Sequence, residues 1–169
     1  AHAAREMQAA GADGLLSVTP YYNRPTPEGL VAHYAMIADA TPLPIIIYNV
    51  PGRTGCNVDA PTLATLAAIP TVIGVKEASG NMSQMADIVR AVPDDFLVLS
   101  GDDALALPLM AIGGRGLISV CSNQIPREMA DLIEAADAAL YAAKHRGRNT
   151  VVEHGFARPV DETGVALAG

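Results

Sequence analysis

A chain of 169 residues, half of them apolar and 17% charged, has room for one domain with a substantial core and lacks the composition of a disordered segment. Lys and Arg number 11 against 18 Asp and Glu, a net charge of −7. With no basic run, that balance argues against nucleic acid or an anionic membrane as partner. No apolar stretch reaches membrane-spanning length. The two cysteines, Cys56 and Cys121, have neither CxxC nor zinc-ligand spacing, which argues against a disulfide framework and for a reducing cytoplasm. The four histidines share no i, i+3 or i, i+4 pairing, so a metal site has no support.

The opening AHAAREMQAAGADG reads as the middle of a helix, with neither initiator Met nor signal peptide, as expected of a fragment lacking its upstream part. Short β-branched runs then predict strands at Leu15–Thr19, Ile45–Val50, Thr71–Lys76, Leu97–Gly101 and Gly116–Cys121. Helical spacing lies between and after them, over Pro27–Ala40, Asp59–Ile69, Asn81–Val92, Ala104–Ile112 and Pro126–Lys144. Pro27, Pro61 and Pro126 fall in first turns, where a missing N–H is harmless. Asp103 is placed to cap the helix that follows it, and Gly113–Gly114 to end it. Cys121 extends an apolar run and is expected to be a small buried hydrophobe.

Strand and helix alternate, which is the pattern of βαβ units in a parallel sheet, and the strands are nearly all apolar, as when both faces are covered. An open doubly wound sheet and a barrel both fit. A GxGxxG after the first strand is missing, and so is a phosphate-loop lysine. The chemically useful residues follow the strands (TPYYN, YNVPGRTG, KEASGN, SGDD, CSN), the end at which a (β/α)8 barrel builds its site. Five strands cannot close such a barrel, so if the fold is one it is a partial barrel with its first three strands missing, and an open doubly wound sheet stays the alternative. Leu15–Thr19 and Gly116–Cys121 should then be bare edges.

Lys76 closes one apolar run and Tyr48 closes another 28 residues earlier. A lysine at the end of a buried strand can be a snorkelling side chain with its head in water. It can also be a desolvated amine, which attacks a ketone to form a Schiff base, with a tyrosine on the neighbouring strand moving the protons.

Taken together, SVTPYYNRPTPEGL, IIIYNVPGRTG, VIGVKEASGN, LSGDD and GGRGLISVCSN resemble the dihydrodipicolinate synthase family over Ala1 to Glu134. The family consists of pyruvate-dependent Schiff-base aldolases on a (β/α)8 barrel. The resemblance implies that Lys76 forms the imine with pyruvate and that Tyr48 relays its protons. Tyr22 matches a second relay tyrosine, which in the family reaches into the site of a neighbouring subunit. Arg53 matches the arginine that holds the carboxylate of aspartate semialdehyde, and Gly101 and Ile118 match positions whose carbonyls line the pyruvate pocket. The implied activity is condensation of pyruvate with L-aspartate 4-semialdehyde in lysine biosynthesis, in a homo-oligomer, with no cofactor beyond the lysine imine.

Two departures stand out. The family's GTTGE-type segment, whose threonine bridges the relay tyrosines, has no match here, since Thr54, Thr62 and Thr65 are in the wrong places. Without it the 169 residues alone are expected to be inactive. Residues 136–169 form the second departure. Their ADAALYAAKHRGRNTVV resembles the end of a GGDEF domain and implies a foreign tail after a barrel part of residues 1–135, with Glu153–Gly169 loosely ordered. An N-acetylneuraminate lyase-like aldolase shares the lysine and tyrosine but differs at the NVPGRTG turn. A non-catalytic fusion fragment is the other reading.

Overall fold

The computed structural model describes residues 1–146. Helix α1 (His2–Ala9) leads into β1 (Leu15–Val18), α2 (Pro27–Ala38), β2 (Ile45–Asn49), the single turn α3 (Pro51–Thr54) and α4 (Ala60–Leu66). Then come β3 (Val72–Glu77), α5 (Met82–Ala91), β4 (Leu97–Ser100), α6 (Ala106–Ala111), β5 (Gly116–Leu117) and α7 (Pro126–His145). Three helices start on side-chain caps. Thr26 accepts from the Gly29 N–H, Asp59 from Thr62, and Asn81 from Ser83 and Gln84. The predicted junction near Ala135 falls inside α7, which runs on to His145. The predicted GGDEF-like and loosely ordered segments lie, from residue 147 on, outside the described residues.

The five strands form one sheet in the order β1-β2-β3-β4-β5, every neighbour pair parallel. That order follows from right-handed crossovers through helices, which lay each strand beside the last. Side chains alternate between faces. Ile45, Ile47, Val75 and Val98 face the helices and meet Leu63, Leu66, Met85 and Ile88, all buried. Each contributes roughly 1.5–3 kcal/mol of burial. Tyr34 on α2 is buried with them, and its hydroxyl donates to the Ser17 carbonyl at 3.0 Å.

Three expectations need correction. The last strand covers two residues instead of Gly116–Cys121. Only the Ile118 N–H, donating to Ser100 O at 2.9 Å, carries the ladder further before the chain turns at Cys121–Asn123. Cys121 is therefore exposed, not buried. Asp103 is not the cap before α6. Asp102 caps the short 3-10 turn Asp103–Leu105, accepting from the Ala104 N–H, and frees Asp103 to reach elsewhere.

β1 and β5 are the edges, as predicted. On β1 the face turned away from the helices stays open, with Leu16 51% exposed and Val18 beside it. A groove of about 420 Å³ lined by Met7, Leu16, Val18 and Tyr21 runs along it. No Lys or Pro within β1 guards that edge. The isolated chain is expected to self-associate in sedimentation. A monodisperse monomer with one cooperative urea transition would contradict this.

Candidate active site

Register decides what meets at the C-terminal end of the sheet. Val18 pairs with Tyr48, Tyr48 with Lys76, and Lys76 with Leu99, so four side chains stand at one level. Tyr48 and Lys76, 28 residues apart, are direct cross-strand neighbours. Lys76 is only 9% exposed, which is not the environment of a snorkelling head group. Among the described residues no carboxylate pairs with its amine. Its Nζ lies 4.5 Å from the centroid of the Tyr48 ring. The contact is with the ring face, an attraction of a cation for the π quadrupole, where a contact with the hydroxyl was anticipated.

Gly101 follows β4 and is held by its N–H donating to the Glu77 carbonyl at 2.8 Å. A Cβ there would lie 3.0 Å from Lys76 Cε and 2.7 Å from the Ala78 methyl, so the missing side chain is where the lysine stem runs. Ile118 sits one strand further on, just past β5. Among the described residues the Gly101 and Ile118 carbonyls accept no hydrogen bond. Asp103 sets the segment after Ile118. Its carboxylate accepts from the Ser119 hydroxyl, from the Val120 N–H at 3.1 Å and from the Cys121 N–H at 3.4 Å. The Ser119 hydroxyl chiefly holds the Asp103 carboxyl below its usual range.

Arg53 lies in α3, a turn that periodicity does not reveal. Pro51 starts it, and Gly55, at φ 66°, stops it. The Arg53 side chain is exposed and pairs with no carboxylate among the described residues. Thr54 is consumed within the turn, its hydroxyl bonding to Val50 O and Cys56 O. It cannot stand in for a bridging threonine. The guanidinium of Arg24, from the loop after β1, packs on Gly55, where a Cβ would lie 2.8 Å from Nε. That contact ties the Tyr22 loop to the Arg53 turn.

Tyr22 itself is not brought to Lys76. It is 95% exposed, with φ 70°, a left-handed conformation that a tyrosine rarely adopts. Among the described residues nothing covers it.

Sequence reasoning missed Glu77 and Asn49. Both are completely buried one residue past Lys76 and Tyr48, and the Asn49 amide donates to the Glu77 carboxylate at 2.7 Å. The signal was present. An acid inside an apolar strand asks for a partner as much as a lysine does.

Comparison with known proteins matches residues 1–161 to the Dihydrodipicolinate synthetase family. The chain is 52% identical over 134 residues to a 4-hydroxy-tetrahydrodipicolinate synthase of Koribacter versatilis, covering 79% of this chain and 45% of that protein. A dihydrodipicolinate synthase crystal structure from Aquifex aeolicus matches with a TM-score of 0.80 at 41% identity, over 86% of this chain and 50% of that one. The chloride-inhibited dihydrodipicolinate synthase from Acinetobacter baumannii, complexed with pyruvate, matches with a TM-score of 0.79 at 42% identity, over 85% and 50%. The chain spans about half the length of the relatives it matches, so its five βα units are part of a (β/α)8 barrel. The GGDEF resemblance of residues 136–169 finds no support here, and the family match continues to residue 161.

Proposed function

The chain belongs to the Dihydrodipicolinate synthetase family, and from that premise we propose that it carries the imine-forming half of a lyase that condenses pyruvate with L-aspartate 4-semialdehyde. The observation that carries the reading is the placement of Lys76, buried at the C-terminal end of β3 with Tyr48 in register beside it. The Lys76 amine adds to the ketone of pyruvate, and loss of water leaves an imine. A proton then leaves the methyl group, and the resulting enamine carbon attacks the aldehyde of the second substrate. Water releases the product and restores the amine. Each step moves a proton next to the imine, and Tyr48, whose phenol both donates and accepts, is the group placed to move it.

Gly101 and Ile118 offer carbonyls to pyruvate, and the Arg53 fork is suited to the carboxylate of the aldehyde. The NVPGRTG turn favours the synthase over a lyase acting on N-acetylneuraminate. The exposure of Tyr22 supports a role in a second copy of the chain, and so a homo-oligomer. Among the described residues no helix is long and apolar enough to cross a membrane, and both cysteines are free, which supports a cytoplasmic enzyme.

Incubating the protein with both substrates and following their joint loss by NMR tests the reading. Arg53→Ala is expected to raise the KM for the aldehyde by roughly tenfold to a hundredfold and to leave that for pyruvate nearly unchanged. Joint loss absent even when the family's upstream strands are supplied, or an equal rise for pyruvate, would count against it.

A further inference from the structure

Glu77 takes no part in the chemistry above, yet among the described residues it is the one acid in the buried core, 0% exposed. Its side chain points to the helix side of β3, opposite to Lys76. One carboxylate oxygen accepts from Asn49 Nδ2 at 2.7 Å and the other from the Ser79 N–H at 2.8 Å. The Asn49 amide has only one possible orientation, because its Oδ1 accepts from the Val58 N–H at 3.0 Å. Its nitrogen therefore faces Glu77, and also Asn57 Oδ1 at 3.1 Å. Asn57 in turn bonds to Gln84 on α5 at 2.7 Å. Among the described residues no cation pairs with Glu77. A buried acid without a counterion is costly to keep and needs a return in structure.

That return is visible in what the bonds join. Asn49 and Val58 are the two ends of the loop that contains α3 and Arg53, and the carboxylate ties both to the strand that carries Lys76. We propose that Glu77 is a positioning residue: through Asn49 it holds the Arg53 turn at a set separation from Lys76. The inference rests on the substrate roles proposed above for Arg53 and Lys76, but the brace itself can be measured without them.

Both partners of Glu77 are donors. Glu77→Gln keeps its shape but has one acceptor for two donors, so one contact becomes donor against donor. Asn49→Asp sets two carboxylates against each other. Combined, the two substitutions restore a donor–acceptor pair with the polarity reversed. Hydrogen exchange on the full chain should show the Val58 and Ser79 amides exchanging about tenfold faster or more in each single variant, with return toward the parent rate in the double variant. Asn57→Ala, at the exposed end of the network, should loosen only residues 50–58 and serves if a single variant does not fold.

In the protein extended by the family's upstream strands, Glu77→Gln should raise the KM for the aldehyde about tenfold while pyruvate capture at Lys76 changes by less than about threefold. Unchanged exchange in all three single variants, or a double variant no better than the worse single one, would overturn the brace. Faster exchange with the KM unmoved would overturn the positioning role. Failure of the parent protein to capture pyruvate would instead overturn the functional reading, with the exchange arm still deciding the brace.

Discussion

Pyruvate followed by borohydride is expected to leave a stable adduct of about 72 Da on Lys76, the mass of pyruvate less water plus two hydrogens. The chain makes this test unusually clean, because Lys76 and Lys144 are its only lysines. Reduction fixes whatever imine is present, so even slow formation is recorded. The 169 residues lack the threonine segment that bridges the relay in the family, so capture should be slow in the chain alone. It should become fast when the family's upstream strands are supplied. Lys76→Ala should carry no adduct under either condition, and mass spectrometry of the peptide around residue 76 reads the result directly. Equal labelling of the variant would place the nucleophile elsewhere. It would also remove the reason for a nearly buried lysine at the end of β3 that pairs with no carboxylate among the described residues.

Gly101→Ala is expected to slow capture at Lys76 by roughly a hundredfold while leaving the sheet folded. The added methyl would lie 2.7 Å from the Ala78 methyl and about as close to the lysine stem, at 3.0 Å from Cε and 3.1 Å from Cγ. The Ala78 methyl is fixed to its backbone, so the chain shifts at Gly101 or Ala78 and the lysine stem is displaced with it, by something near an ångström. A displacement of that size at a reacting group costs about a hundredfold in rate. Far-UV circular dichroism should stay near that of the parent, because the strand ladder around Gly101 needs only its N–H. Urea unfolding should show the cost of overpacking, a loss of about 1–3 kcal/mol. Capture at the parent rate would mean that the stem has another path to the ketone. A lost urea transition would mean that Gly101 serves the fold before it serves the site.

Much of this arrangement was legible before any coordinates. Apolar runs of four to six residues separated by helical spacing are short-range patterns, and they state locally that the sheet is parallel. They also read as covered on both faces, whereas Leu16 and Val18 leave one face of β1 exposed. Tyr48 and Lys76 could be paired because each closes its run, and parallel strands of one sheet end on the same side. The caps at Thr26, Asp59 and Asn81 are similarly local, since a cap and its N–H lie within three residues. Strand ends were less legible. β5 ends after Leu117, because an edge strand has a ladder on one side only and Asp103 draws Ser119 out of line.

What the tertiary structure alone decided depends on register and on contacts distant along the chain. A pairing shift of one residue would have turned every side chain to the opposite face. The observed pairing puts Lys76 beside Tyr48 on one face and Glu77 beside Asn49 on the other. No local pattern says that the Asn49 amide will face a carboxylate 28 residues away, or that Arg24 will lie on Gly55. Nor could spacing show that Asp102, not Asp103, makes the cap, because the choice turns on a serine 16 residues further on. The sequence by itself determined the parallel α/β class and the placing of the lysine and tyrosine at one end of the sheet, both of which follow from periodicity and strand direction. The barrel, as against an open sheet, came from the resemblance. Only the folded chain decided which polar groups brace that pair, and that Tyr22 stands clear of it, because buried hydrogen bonds are satisfied by whatever the register brings within reach.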